Sequence, residues 1–430
     1  MFEKFEILIE DLTSEGDGVG RMDGLAVFIP GTLPGDLARI KLIDRKKNFA
    51  RGEVVGIVKP SAHRISPKCH AHAECGGCCL QGYDYQAQLD LKKRRITNAL
   101  QRIGGLDMAN ITINDVIGMD NPYYYRNKAV FHVSSKDGKP LIGFYSSRTH
   151  DLVDVTDCNI QNSAASSVTS AVRAYIEETG AEGITCILVR TAAATGEIMV
   201  RLTTNGSGLP HPTLLIEKLE NTGKLVSVTA VDGEKVVLSW GKSFITDFIG
   251  GLKFRISAES FFQVNPAQTR VLYDTVAELA GLTGVETVID FYCGAGTITL
   301  FLAKNAKKVI GIESNPRAAN DARTNARINN IKNAEFIESD VLKIDFEQLT
   351  RPDVVILDPP RKGAGLPLVE KIASLEPEKI IYVSCDPATL ARDTKAFAAL
   401  GYIITAVQPV DMFPMTNHIE AIALLQKKLL

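Results

Sequence analysis

From about residue 258 onward the chain alternates short apolar runs with stretches of helical periodicity. Strands are expected at Thr287 to Phe291, Lys308 to Glu313, Ala334 to Ile337, Val354 to Asp358, Ile380 to Ser384 and Ala421 to Leu425. Apolar strands separated by helices predict a doubly wound α/β sheet, which takes its ligands outside the carboxyl ends of the strands. The first 59 residues keep a different rhythm. Lys4 to Glu10, Glu15 to Gly20, Ala26 to Pro30, Ala38 to Ile43 and Gly52 to Val58 read as short strands with glycine-rich turns, the pattern of a small closed, OB-like β-barrel. Residues 60–80, rich in Cys, His, Gly and Pro, fit no regular element, whereas Tyr85 to Ile103 has helical spacing and stops at Gly104-Gly105. From about 123 to 257 hairpins dominate, with turn signals at Thr195-Gly196 and Asp232-Gly233 and one helix near Ser163 to Thr179.

These rhythms divide the chain into a barrel (1–59), a central α+β domain (60–257) and an α/β domain (258–430), with helix 85–103 free to pack on the last. A chain of 430 residues is long enough for several cores. Its 45% hydrophobic and 23% charged residues exclude the disordered and membrane classes. No apolar run approaches the roughly 18 residues of a membrane span, and the start Met1-Phe2-Glu3-Lys4-Phe5-Glu6 is too acidic for a signal peptide, so a cytoplasmic protein is expected.

A net charge of −2 does not advertise a polyanionic partner, but the cations are clustered. Arg39, Lys41, Arg45, Lys46, Lys47 and Arg51 crowd one region, and Lys92-Lys93-Arg94-Arg95 form a run; each group fits a solvated face as well as a phosphate contact. The barrel with its basic region resembles a TRAM domain, a small RNA-binding barrel found on RNA-modifying enzymes.

Val288-Ile289-Asp290-Phe291-Tyr292-Cys293-Gly294-Ala295-Gly296-Thr297 sets a glycine turn between a strand and a helix, and the next strand ends in Glu313, an acid suited to two ribose hydroxyls. The third glycine of the dinucleotide fingerprint is missing. Asp340 follows the third strand, and Asp358-Pro359-Pro360 closes the fourth. This order resembles the Rossmann-like class I S-adenosylmethionine methyltransferases, which implies Asp340 near the adenine and Asp358 near the reacting end of the cofactor.

Arg361-Lys362-Gly363 follows Asp-Pro-Pro where amine methyltransferases have an aromatic residue, so carbon methylation gains weight. The fifth strand runs into Ser384-Cys385-Asp386-Pro387. Carbon 5 of uracil becomes nucleophilic only once something adds to carbon 6, a reversible addition that suits a thiolate. A carboxylate must then remove the carbon 5 proton, and Glu420, at the mouth of the last strand, is the candidate. Cys186 and Cys293 fit buried filler instead.

Asp358-Pro359-Pro360-Arg361-Lys362-Gly363, Tyr382-Val383-Ser384-Cys385, His418-Ile419-Glu420 and Ser260-Phe261-Phe262-Gln263-Val264-Asn265 together resemble the signatures of the RNA 5-methyluridine methyltransferase family. The similarity spans nearly the whole chain and is closest to the 23S ribosomal RNA branch, with transfer RNA the alternative substrate and cytosine a more distant one. The resemblance implies cofactor contacts at Gln263, Tyr292, Thr297, Glu313, Asp340 and Asp358, Cys385 as nucleophile and Glu420 as base. Asp386 stands where the family commonly has Asn, and an acid beside the nucleophile would oppose thiolate formation.

Eight cysteines in a reducing compartment point to metal or catalytic roles. Cys69, Cys75 and Cys78 lie five and two residues apart, and Cys158 follows far downstream. The resemblance implies a 4Fe-4S cluster on these four, without Cys79; four thiolates also suit zinc. His70 and His72 read as surface residues. A flipped or looped-out uridine needs stacking faces, for which Phe261, Phe262 and the run Tyr123-Tyr124-Tyr125 are available beside Arg126 and Lys128. A dehydrogenase leaves Cys385 and Asp-Pro-Pro unexplained, and a non-enzymatic RNA-binding scaffold leaves the cofactor motifs idle. No obligate protein partner is indicated.

Overall fold

Strands β1 (Lys4–Leu12), β2 (Gly18–Met22), β3 (Leu25–Ile29), β4 (Leu37–Arg45) and β5 (Phe49–Lys59) close a barrel in the order β1-β2-β3-β5-β4 in the computed structural model, which describes residues 4–147, 149–206 and 208–428. Alternation turns Ile7, Ile9, Val27, Ile29, Ala38, Ile40 and Ala50 inward as its core. Glu15 to Asp17 form a turn rather than a strand start, because the Thr13 N–H donates to the Asp17 carbonyl and the Thr13 hydroxyl accepts the Asp17 N–H. Arg45, Lys46, Lys47 and Arg51 are exposed; Lys46 pairs with Asp44, and Arg39 with Glu6.

After an irregular stretch come α1 (Tyr85–Arg102), which starts on an Asp84 cap, and the two-residue strand β6 (Thr112–Ile113). The middle sheet is built from β7 (Lys128–Lys136), β8 (Lys139–Tyr145), β9 (Leu152–Asp154), α2 (Ser163–Thr179), β10 (Ile184–Thr191), β11 (Glu197–Thr204), α3 (Pro212–Glu220), β12 (Lys224–Asp232) and β13 (Lys235–Gly241). Its strand order is β13-β12-β11-β10-β7-β8-β9, and α2 and α3 bury Val168, Val172, Leu215 and Leu219 against it.

The hairpin β14 (Phe244–Ile249) and β15 (Leu252–Ser257) leads to α4 (Pro266–Ala280), β16 (Thr287–Phe291), α5 (Thr297–Ala303), β17 (Lys308–Glu313), α6 (Pro316–Ile328), β18 (Ala334–Glu338), β19 (Val354–Leu357), α7 (Leu366–Ser374), β20 (Lys379–Ser384), α8 (Pro387–Ala399), β21 (Tyr402–Val410) and β22 (Glu420–Lys427). The sheet order is β18-β17-β16-β19-β20-β22-β21-β6, with β22 antiparallel to both neighbours. The chain winds in opposite directions from β16, which opens a crevice between the carboxyl ends of β16 and β19. Pairing of β14–β15 residues Ile245, Phe254 and Ile256 with the α4 core ties this hairpin to the C-terminal sheet, and Ile96 and Leu100 of α1 pack on its opposite face.

The sequence pattern left β21 and β6 unassigned. Pro409 interrupts the β-forming run of β21, and only two residues of β6 pair beside it, so both are edge features that tertiary contact defines. The basic run at 92–95 is a solvated face only at Arg94. Lys92 is fully buried, donating to Asp411 at 2.6 Å and to the Phe413 carbonyl at 3.2 Å, Lys93 pairs with Asp115, and Arg95 donates to the Asn417 carbonyl. Tyr85 also donates to Asp411, at 3.0 Å. A buried charge is tolerated only when paired in this way, so these residues pin α1 to residues 411–417. No helix among the described residues is long and apolar enough to cross a membrane.

Candidate active site

The crevice is a cavity of about 490 Å³. Gln263, Tyr292, Thr297, Glu313 and Asp358 line it together with Cys385 and Glu420. Each is delivered by a strand end or by the loop before α4. Gly296, at φ 78°, turns the chain from β16 into α5, where a Cβ would meet Phe336 at 2.9 Å. Tyr292 also has positive φ, 65°. The Glu313 carboxylate at the end of β17 accepts the N–H groups of Gly294 at 3.0 Å and Asn315 at 2.7 Å, which fixes it beside the glycine turn. Thr297 accepts the Tyr273 hydroxyl at 2.7 Å.

The 258–264 loop is held from the middle domain. Arg190, 2% exposed, donates to the carbonyls of Ala258 and Ser260, and Asn127 reaches the carbonyls of Gln263 and Val264 through its side chain and backbone N–H. Phe262 is buried against the α4 core while Phe261, 68% exposed, stands at the cavity mouth. Tyr125 is a packing residue whose hydroxyl donates to the Pro414 carbonyl, whereas Tyr124 is exposed.

Antiparallel pairing of β20 with β22 ends with Ser384 opposite Ala421, which brings Cys385 and Glu420 to the same edge. Burial, with the nearby charges of Glu420 and Asp358, pushes the Cys385 thiol up to about 12, and Arg361 opposes that shift. Burial and Asp358 likewise hold the Glu420 carboxyl well above the usual carboxylate range. Asp386, the acid suspected of opposing the thiolate, caps α8 by accepting the Ala388 and Thr389 N–H groups; the acids that face the sulfur are Glu420 and Asp358.

Asp290 went unnoticed as a site residue. Buried at the end of β16, it accepts the Thr299 hydroxyl at 2.5 Å through one oxygen, leaves the other without a partner, and is pushed up to about 7 by burial and by Asp358 and Glu313. Asp358 is itself pushed up to about 7 by burial. A cavity with two such carboxyls and an orphaned oxygen favours a cationic ligand. Arg361, Arg126, Phe413 and His418 also line it. Arg361 was legible as the residue after Asp-Pro-Pro, Arg126 as a cation beside the tyrosine run and His418 as part of the Glu420 signature; the fold adds that all three share one wall. His418 is pushed down to about 4 by burial and by Arg361, Arg95, Lys92 and Arg126.

Asp340 is not part of the wall. It lies exposed beyond β18, accepts the Leu342 N–H at 2.9 Å, and reaches the cavity only through its charge on Tyr292. Cys293, expected as filler, is buried but does line the wall, and Cys186 is only half-buried.

A second cavity, of about 410 Å³, adjoins the first through Arg126 and Val264. Cys69, Cys75, Cys78 and Cys158 all line it. Residues 158–162 are brought there by backbone pairing with 124–126. Burial and the neighbouring thiols push Cys78 up to about 12 and raise Cys75 and Cys158, while N–H groups of Gly77 and of Ile160 and Gln161 face the sulfurs of Cys75 and Cys158. Among the described residues no three His, Cys, Asp or Glu side chains are grouped so as to hold a metal ion. His72 lines this cavity, with Nδ1 buried and unpartnered, rather than facing solvent; His70 is exposed. Cys79 packs instead with Leu12, Leu33 and Leu80.

Residues 228–428 match the tRNA (uracil-5-)-methyltransferase family, and residues 2–55 match the TRAM domain. RNA methyltransferases of Clostridium acetobutylicum and Halalkalibacterium halodurans are each 42% identical, over 98% of this chain and 97% of theirs. Among solved structures, the tRNA (uracil-54, C5)-methyltransferase of Pyrococcus abyssi, in complex with S-adenosyl-L-homocysteine, superposes with a TM-score of 0.78 at 29% identity, covering 98% of this chain and 100% of that one.

Proposed function

The chain belongs to the RNA uracil-5-methyltransferase family and carries its TRAM domain, and from that premise we propose that it methylates carbon 5 of a uridine in 23S ribosomal RNA through a covalent adduct on Cys385. The observation that carries this reading is the meeting of a strand-end thiol, a buried carboxyl and a cation-favouring cavity at one sheet edge. S-Adenosylmethionine fits that cavity, and when bound it supplies an electrophilic methyl carbon. Gln263, Tyr292, Thr297, Glu313 and Asp358 would hold it, with the orphaned oxygen of Asp290 available to a cationic group.

The Cys385 sulfur adds to carbon 6 of the uracil, and the carbon 5–carbon 6 π electrons move toward the carbonyl at carbon 4. Arg361 faces the nucleophile and favours its thiolate. Carbon 5 takes the methyl group, Glu420 removes its proton, the double bond reforms and the sulfur leaves. Glu420 must be ionised when it acts; a cation in the cavity favours that form, as it favours the thiolate. Arg126 and Arg361 in the wall and exposed Phe261 suit an RNA backbone and an unstacked base. Incubation of ribosomal and transfer RNA from a deletion strain with enzyme and cofactor is expected to restore one missing 5-methyluridine in 23S RNA; restoration in transfer RNA alone would assign the alternative substrate.

The four-thiol cavity supports a 4Fe-4S cluster as a structural element. Its size, the four cysteines that line it and the N–H groups that face two of their sulfurs suit a polyatomic group spanning the space. Anaerobically purified protein is expected to absorb near about 400 nm, and stoichiometric zinc without iron would refute the assignment.

A further inference from the structure

The loop that delivers Glu420 is clasped by the barrel. Asn417, 3% exposed, lies three residues before Glu420, and its side-chain N–H donates to the Thr13 carbonyl in the turn after β1. Arg95 of α1 donates to the Asn417 carbonyl, and the Asn417 backbone N–H faces the Cys79 sulfur. Gly16, in the same turn at φ 93°, lies so close to Cys79 that a Cβ would stand 2.5 Å from the Cys79 Cβ. That turn is internally bonded, because Thr13 accepts the Gly16 N–H at 3.1 Å and donates its own N–H to the Asp17 carbonyl at 2.8 Å. Three separate parts of the chain therefore meet on one residue beside the proposed base, the barrel turn through its side chain and Arg95 and Cys79 through its backbone.

We infer that Asn417 is a positioning residue, and that the barrel is a working part of the active site: its first turn braces the loop that aims Glu420 at the carbon 5 proton. This rests on the covalent reading of Cys385 and Glu420. Cys385 is set by β20 and by the start of α8, and none of the three contacts to Asn417 is made to it, so addition and methyl transfer do not depend on the brace. Proton removal does. A base displaced by a fraction of an ångström loses rate steeply, so removal of the brace slows elimination by about 10- to 100-fold while cofactor binding stays as it was.

The test compares wild type, Asn417→Ala, Gly16→Ala and Glu420→Gln in single turnovers with the RNA substrate, with protein–RNA adduct followed on denaturing gels and cofactor affinity measured separately. Adduct that builds up in Asn417→Ala and, through the displaced turn, in Gly16→Ala, at unchanged cofactor affinity, supports the inference; a loosened fold would instead lower adduct formation and cofactor binding together. Adduct in Glu420→Gln with none above wild type in either brace variant overturns the inference and leaves the covalent reading standing. No adduct in any variant, Glu420→Gln included, overturns both. Should Asn417→Ala fail to fold, Asn417→Asp, which removes the donor but keeps the shape, is read by the same criteria.

Discussion

Cys385→Ala is expected to lower 5-methyluridine formation on the order of 10⁴-fold while the protein still melts at the wild-type temperature and still shows a thermal shift with S-adenosylmethionine. The sulfur lines the cavity without a core role, so its removal leaves the cofactor walls intact. Cys385→Ser should do no better, since a hydroxyl adds to carbon 6 far less readily than a thiolate. The same thiol predicts the pH dependence of the wild type. Its ionisation is pushed upward, so the thiolate is the scarce form at neutrality and becomes more abundant as pH rises. Initial rates should therefore climb between about pH 6 and 9. A flat profile under single-turnover conditions would mean that thiolate formation is not part of the rate.

Glu420→Gln is the second large effect, and it differs in kind. The amide keeps the shape of the buried carboxyl but cannot accept the carbon 5 proton, so turnover should fall by roughly 10²- to 10⁴-fold while addition and methyl transfer proceed. The variant should accumulate methylated RNA attached to protein, stable to denaturant and resolved by protease. Free 5-methyluridine released at the wild-type rate would remove Glu420 from the reaction. Because Glu420 is only 5% exposed and Asp358 raises it further, the amide is also expected to raise rather than lower folding stability at neutral pH, a difference readable by urea denaturation. The sign follows from the shift. A carboxyl whose folded-state pKa is raised destabilises the fold as pH climbs above its unfolded value, and glutamine escapes that penalty.

The parts of this site that were legible in the sequence are those written into contiguous residues. The glycine turn at 294–296 with Glu313 behind it, Asp358-Pro359-Pro360, and Cys385 at a strand end each announce themselves because strand-end chemistry needs a particular residue at a particular step of the chain. The five-stranded barrel was legible for a similar reason, since period-two alternation states which side chains face inward. What was illegible depends on where charges go in three dimensions. Lys92-Lys93-Arg94-Arg95 has the composition of a phosphate-binding run, yet Lys92 is consumed by Asp411, more than 300 positions away in the chain. Asp340 sits at the expected step of the pattern, exposed just past β18 with its charge felt at Tyr292, whereas Asp290, hidden in an apolar strand, lines the cavity. Arg126 borders both cavities with an unpartnered Nε, a position that no local pattern could reveal.

These contacts also change what the domains mean for function. The middle domain is not a separate module: through Arg190 and Asn127 it holds the loop that presents Gln263 and Phe261 to the cavity. Arg190 is a buried cation bonded to carbonyls, a costly arrangement that fixes one loop geometry and tolerates few others. The site is thus assembled from the middle and C-terminal parts of the chain.

The most direct measurement uses RNA in which the target uridine carries fluorine at carbon 5. Fluorine occupies the position of the proton that Glu420 removes, so addition and methyl transfer can occur while elimination cannot. Proteolysis and mass spectrometry are expected to find the peptide containing Cys385 joined to a methylated fluoropyrimidine, with wild-type enzyme and with no other cysteine. Methylated product that leaves the enzyme with no such linkage, or a linkage at a different residue, would contradict the mechanism.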